Sequence, residues 1–144
     1  MTSICRLLGA GSALTTAGLL IGAGLTVGGP RAHADQVVHH VKYTVTAQHP
    51  IYTDIYYLDH QPAMFSDYSH NPYSFTPHVD IDLAPGKSWT FDLDMTDPDD
   101  YAMVVASTGT EPGTPGLHCD LTVDGAVVVS KDGPKGVLCS LRNW

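Results

Sequence analysis

Carboxylate and imidazole side chains alternate with apolar ones along two short segments of this 144-residue chain. His78 and Asp80 belong to the first segment, and Asp92 and Asp94 belong to the second. Side chains of these types bind divalent cations such as zinc or manganese. If the two segments pair as strands, register rather than spacing would bring the four together as a metal site. An ordinary solvated sheet face is the alternative, and the residues alone leave both open.

The two segments are predicted to be strands because their apolar side chains recur with a period of two. Residues 84–87 (APGK) lie between them and are typical of a turn. Directly opposed residues of a hairpin share one face of the sheet. The shortest register that keeps the apolar side chains on one face places Asp80 opposite Asp92 and His78 opposite Asp94. We therefore expect a patch of negative charge on one face of a hairpin.

Strands are predicted along most of the remaining chain, because β-branched and aromatic residues recur between turn signals. Asp124-Gly125 predicts a two-residue hairpin turn, and residues 59–77, with three prolines, predict a loop or a short edge strand. Many short strands with frequent turns favour an all-β fold, an immunoglobulin-like two-sheet β-sandwich of about seven to nine strands. The predicted strands cover residues 37–47, 52–58, 79–83, 89–95, 101–107, 117–123, 126–130 and 137–141.

The N-terminal segment has the pattern of an export signal. Residues 7–29 carry no charged side chain, and residues 32–34 (AHA) match the A-x-A cleavage pattern before Asp35. We therefore expect residues 1–34 to be a signal peptide and residues 35–144 to form the β-sandwich domain, secreted or periplasmic in the cell envelope. The alternative is an uncleaved membrane anchor, since about 20 apolar residues span a bilayer. Membrane association is expected only in that case.

Cys119 and Cys139 are the two cysteines that would remain after cleavage. An even cysteine count in an exported chain predicts a disulfide, because the compartment is oxidising. Closing a loop of about 20 residues is worth about 3 kcal/mol in the chain-entropy model. A zinc site is the rival use of two cysteines, but it needs two further ligands, and none lies at the spacing of a zinc ribbon.

Charge and motif content exclude several classes of protein. Seven basic residues are set against fifteen acidic ones, a formal net charge of −8. This balance argues against nucleic-acid binding, whose affinity comes from Lys and Arg contacts to phosphate. The chain has no G-x-S-x-G, H-E-x-x-H or glycine-rich phosphate loop. We therefore expect no enzymatic activity and no cofactor.

Two further groups of residues could bind ligands. Residues 97–100 (DPDD) could bind calcium weakly, although they lack the glycine and closing glutamate of an EF-hand. The aromatic side chains of residues 52–75 could line a groove for a lipid or an aromatic ligand, since aromatics are enriched at recognition surfaces. For the strand-borne tyrosines, Tyr56 and Tyr57, a place in the core is the alternative.

Several segments resemble the MmpS family, small mycobacterial membrane proteins that accompany the large MmpL transporters of lipids and siderophores. The resemblance rests on residues 41–46 (VKYTVT), residues 54–57 (DIYY) and residues 119–125 (CDLTVDG) together with Cys139. It implies a periplasmic β-sandwich domain with a disulfide and no catalysis. Members of that family keep the N-terminal helix as an anchor, whereas a cleavable signal is predicted here. The segment of residues 62–77 is also longer, and richer in Tyr and His, than the resemblance to this family implies.

The sequence therefore favours an exported, non-catalytic protein that acts as an accessory or scaffold in cell-envelope transport of lipids or siderophores. Its expected partner is an envelope transporter or a lipid-like ligand. The first alternative is a soluble extracytoplasmic protein that binds a metal or a small ligand. A hydrolase without a recognisable motif is the second.

Overall fold

The computed structural model describes residues 35–143, which form one domain of eight strands and three short helical segments. The predicted signal peptide, residues 1–34, lies outside the described residues. Within residues 35–143, no helix has the length and apolar composition that a membrane span needs. The strands are β1 His39–Ala47, β2 Ile51–Tyr57, β3 His78–Leu83, β4 Trp89–Met95, β5 Met103–Ser107, β6 Leu117–Val123, β7 Ala126–Gly133 and β8 Gly136–Ser140. The helical segments are α1 Phe65–His70, a 3₁₀ turn Pro72–Ser74 and α2 Pro98–Tyr101.

The strands form two four-stranded antiparallel sheets that pack face to face. The first sheet has the order β4-β1-β6-β7, and the second has the order β3-β2-β5-β8. Every pairing between neighbouring strands is antiparallel. The predicted all-β, two-sheet β-sandwich is confirmed.

Alternation along β1 shows how the sequence builds this architecture. Val41, Tyr43 and Val45 are fully buried, whereas the residues between them are only partly buried. Because successive side chains of a strand point to opposite faces, one face of β1 lines the core. The Tyr43 hydroxyl oxygen accepts a hydrogen bond from the backbone N–H of Met103 on β5, at 3.3 Å. Burial raises the pKa of Tyr43 well above its ordinary value, so the phenol stays neutral.

The predicted disulfide between Cys119 and Cys139 is confirmed, and it crosses the core. Cys119 lies on β6 in the first sheet and Cys139 on β8 in the second, with Cα atoms 6.1 Å apart. Both residues are fully buried. The disulfide therefore links the two sheets and adds a covalent connection to their apolar packing.

The predicted hairpin between β3 and β4 is wrong. β3 pairs with β2 in the second sheet, and β4 pairs with β1 in the first. Between the two strands only an isolated bridge joins Ala84 and Lys87. Period-two alternation identifies which side chains share a face, but it does not say which strand lies alongside. The turn at residues 84–87 connects a strand of the second sheet to a strand of the first. A two-sheet sandwich needs some connections of this kind.

The turn Asp124-Gly125 does form the predicted two-residue hairpin connection, between β6 and β7. Both residues have positive φ, 50° and 82°, which an Asp-Gly pair tolerates better than most residues. The Asp124 carboxylate accepts hydrogen bonds from the His39 ring at 2.7 Å and from the His40 backbone N–H at 2.9 Å. These bonds lower the pKa of Asp124 and fasten the start of β1 to this turn.

Candidate functional site

The four residues expected to form a metal site do not come together. His78 and Asp80 lie on β3 of the second sheet, whereas Asp92 and Asp94 lie on β4 of the first. The expected cluster depended on the β3–β4 hairpin, which does not form. Within residues 35–143, no group of three or more His, Cys, Asp or Glu side chains is arranged to hold a metal ion.

Asp80 faces Asp54 instead of Asp92. The two residues are direct partners in the antiparallel pairing of β2 with β3, on the outer face of the second sheet. Partial removal from water, a hydrogen bond with Asp80 and the charge of Asp80 together raise the pKa of Asp54. Like charges directly opposite each other destabilise a sheet, so this pair favours a shared proton or a nearby cation.

Tyrosine side chains flank the Asp54–Asp80 pair on both sides along β2. Tyr52 lies opposite Asp82, and Tyr56 lies opposite His78. The rings of Tyr56 and His78 stack with their centroids 5.1 Å apart. Partial removal from water, followed by the charge of Asp80 and a hydrogen bond to it, raises the pKa of Tyr52. This face of the second sheet therefore combines aromatic rings with carboxylates.

The outer face of the first sheet holds a histidine between two carboxylates. His40 Nδ1 lies 3.0 Å from Asp94, and its Nε2 lies 3.2 Å from Asp92. Hydrogen bonds to Asp94 and then Asp92 raise the pKa of His40. Both ring nitrogens can donate to carboxylates only when the imidazole is protonated, so the arrangement favours the imidazolium.

A second histidine of the first sheet has the same surroundings. His118 Nδ1 lies 2.8 Å from Asp132, and its Nε2 lies 3.1 Å from Asp120. Ser130 Oγ is 3.5 Å from the same Nε2, so these residues resemble a Ser-His-Asp triad. A triad histidine must accept the serine proton. Here Asp120 lies nearer to that nitrogen, and the hydrogen bond to Asp132 raises the pKa of His118. A carboxylate faces each ring nitrogen, so neither nitrogen is free to accept the serine proton.

The two histidine–carboxylate groups were missed in the sequence because each of them includes a carboxylate from a neighbouring strand. His40 meets residues of β4, which follow it in the chain by more than fifty positions. Two sequence patterns could have revealed the His40 group. His40 alternates with Val41 on β1, and Asp92 and Asp94 alternate with apolar residues on β4. These patterns become useful only once β1 and β4 are known to be neighbours.

The segment between β2 and β3, residues 58–77, presents exposed apolar side chains. We call it the β2–β3 insertion. Residues 59–77 were predicted as a loop or a short edge strand, but they contain α1 and the 3₁₀ turn. Met64, Phe65 and Tyr73 are all exposed on it. Tyr68 is buried and packs near Phe75, with ring centroids 6.3 Å apart. The insertion therefore has an inner aromatic contact and three exposed apolar or aromatic side chains.

Contacts of Gln61 and of Phe65 help to fasten the β2–β3 insertion to the rest of the domain. Gln61 Oε1 accepts hydrogen bonds from the backbone N–H groups of Thr96 and Asp97, both at 2.9 Å, just beyond the end of β4. The Arg142 guanidinium carbon, near the C-terminus, lies 4.2 Å from the Phe65 ring centroid. Such a cation–π contact adds about 0.5–1 kcal/mol at an exposed site. The exposed side chains are therefore carried on an anchored segment.

Comparison with known proteins places the domain in a family. The model of the family described as "Rv2576c beta-sandwich domain" matches residues 43–139. The chain is 34% identical over 113 residues to uncharacterized proteins of Mycobacterium tuberculosis (Rv2576c and MT2652) and Mycobacterium bovis (Mb2606c). The match covers 78% of this chain and 73% of each relative. This chain belongs to the Rv2576c β-sandwich domain family.

Proposed function

We propose that this protein is an exported, non-catalytic module that binds a partner in the cell envelope through its β2–β3 insertion. In this proposal it acts as an accessory or scaffold in the transport of lipids or siderophores, as the MmpS resemblance implies. The partner is an envelope transporter or the lipid-like molecule that the transporter carries.

The exposed apolar surface of the insertion is the observation that carries the proposal. Tyr73 is 78% exposed, Met64 59% and Phe65 41%. Full burial of a Phe or Met side chain stabilises a protein by about 1.5–3 kcal/mol. Side chains that stay in water do not gain this free energy. Exposed apolar patches on soluble domains mark contacts with proteins, membranes or ligands. The insertion is thus suited to an apolar or amphipathic partner.

The disulfide supports export. Cys119 and Cys139 form a buried bond between the two sheets. Disulfides form and persist in compartments outside the reducing cytoplasm. This agrees with the signal peptide expected for residues 1–34, and an extracytoplasmic position would bring the domain to envelope transporters.

The surroundings of the histidines support a role without catalysis. His118 has the neighbours of a triad histidine, but both of its ring nitrogens face carboxylates. Ser130 is exposed on an edge strand. A serine without an available base is a weak nucleophile.

Site-specific photo-cross-linking in the cell envelope tests the proposal. A photoreactive phenylalanine analogue is placed at Tyr73, and a matched control places it at Thr90, which is exposed on β4 of the first sheet. We expect the Tyr73 position to form an adduct with a component of a membrane transporter or with an envelope lipid, identified by mass spectrometry. Equal adducts from both positions, or none from Tyr73, would contradict the proposal.

A further inference from the structure

A cleft of about 410 Å³ opens at one end of the second sheet. Three connections meet there, namely the β1–β2 link, the β3–β4 turn and the β5–β6 loop. Its side chains combine an apolar wall, an aromatic ring and charges of both signs. They include Pro50, Ile51, Tyr52, Asp82, Lys87 and Glu111. Small-molecule sites typically combine apolar walls with a few convergent polar groups.

Negative charge dominates the cleft and its rim. Asp82 and Glu111 line it together with the one cation Lys87. The Asp54–Asp80 pair lies next along the same face, since Asp80 is two residues from Asp82 on β3. The charges of Asp80 and Glu111 both contribute to the raised pKa of Asp54. These carboxylates are therefore close enough for the charge of one to affect the pKa of another. Their combined negative potential attracts cations from solution.

The aromatic wall favours an organic cation over a bare metal ion. Tyr52 is 45% exposed and lies opposite Asp82 on this face of the sheet. An ammonium group near a tyrosine ring gains about 0.5–1 kcal/mol at an exposed site. An alkyl chain attached to it can lie against Pro50 and Ile51. By contrast, no group of three or more His, Cys, Asp or Glu side chains within residues 35–143 is arranged to hold a metal ion.

We propose that this cleft binds a small organic cation that carries a primary ammonium group on a short alkyl chain. Asp82 and Glu111 attract the ammonium group, Tyr52 provides the cation–π contact, and Pro50 and Ile51 contact the alkyl chain. The cleft lies on strands and loops outside the β2–β3 insertion. This binding activity therefore goes beyond the proposed accessory role and does not depend on it.

Calorimetric titration with 1,4-diaminobutane at low ionic strength tests the proposal. The matched neutral ligand is 1,4-butanediol, which has the same carbon chain without charge. We expect saturable binding of the diamine and no binding of the diol. Asp82→Asn should weaken diamine binding by about three- to fivefold, the loss expected for an exposed ion pair. Tyr52→Leu should weaken it by about two- to fivefold.

Two controls separate a site from general charge screening. Asp99→Asn removes the same charge from α2, where Asp99 is exposed, and it should leave the affinity unchanged. Magnesium chloride at matched ionic strength should not reproduce the titration. The proposal is overturned if the diamine does not bind, if magnesium gives the same response, or if Asp82→Asn and Asp99→Asn weaken binding equally.

Discussion

Cys119 and Cys139 lie on different sheets, and their disulfide crosses the apolar core with a Cα–Cα distance of 6.1 Å. The bond joins β6, a central strand of the first sheet, to β8, an edge strand of the second. A small domain has a limited apolar core. A covalent link between its layers therefore contributes a large share of the stability.

Replacement of both cysteines by alanine should lower the free energy of unfolding by about 3 kcal/mol, because the unfolded chain regains the entropy of an open loop. Chemical denaturation of the two proteins measures the difference. Reductant should destabilise the wild-type protein and leave the double variant unchanged. An unchanged denaturation midpoint for the reduced wild-type protein would contradict this account.

Thr53 offers a stability test in which the substitution should stabilise the protein rather than destabilise it. It is fully buried on β2, and its hydroxyl oxygen has no hydrogen-bond partner. Burying an unpaired hydroxyl group costs about 1–3 kcal/mol. Thr53→Val replaces the hydroxyl with a methyl group of similar size, so we expect the free energy of unfolding to rise by about 1 kcal/mol. Thr53→Ser keeps the hydroxyl and removes the methyl, and it should be destabilising. A loss of stability in Thr53→Val would show that the hydroxyl has a partner.

The histidines of the first sheet predict that the folded protein loses stability as the pH rises above neutrality. Hydrogen bonds to carboxylates raise the pKa of His40 and of His118 in the folded state. A group with a raised folded pKa contributes its full stabilisation below its unfolded pKa, about 6.5 for histidine. That contribution is lost as the pH rises through the folded pKa. Urea denaturation between pH 6 and pH 9 should therefore show a falling free energy of unfolding.

Removing the carboxylates identifies the source of this pH dependence. The double variant Asp94→Asn/Asp132→Asn deletes the strongest hydrogen-bond partner of each histidine. We expect its free energy of unfolding to vary less with pH over the same range. Asp99→Asn serves as the control and should keep the wild-type slope. If the double variant also keeps that slope, other groups are responsible.

The Asp54–Asp80 pair predicts a stabilising substitution at neutral pH. Asp54→Asn removes one of two opposed carboxylates, and its amide can donate a hydrogen bond to Asp80. The gain should be a few tenths of a kcal/mol and at most about 1 kcal/mol, the range for cross-strand pairs. Because the raised pKa leaves Asp54 protonated in acid, the gain should shrink near pH 3. Thermal melts at pH 7 and pH 3 measure it, and an equal gain at both values would contradict the repulsion.

Much of the sandwich could be predicted from the sequence because strand periodicity is a local property. The run from Leu117 to Val123 was predicted with its observed bounds, and the Asp124-Gly125 turn fixed how it connects to β7. The partner of β3 could not be predicted in this way. The residues of β3 and β4 satisfy a hairpin register as well as the observed pairings, and only the packing of the whole sandwich selects between them.

The candidate sites depend on those long-range pairings. His40 alternates with buried residues as any polar strand residue would, and only its place beside Asp92 and Asp94 gives it two carboxylate neighbours. The structure of the β2–β3 insertion was difficult to predict from the sequence for another reason. Its prolines and short helical runs carry no sustained period. Its helical segments of six and three residues are too short to be stable by helix propensity alone.

The most direct test of the central claim is complementation of a strain that lacks this gene, with surface lipids and secreted siderophore as the readout. We expect deletion to lower at least one of these exported products and the wild-type gene to restore it. The variant Met64→Ser/Tyr73→Ser, which changes two exposed side chains of the insertion, should accumulate normally but fail to restore export. Full restoration by this variant, or a deletion strain with unaltered export, would contradict the proposed accessory role.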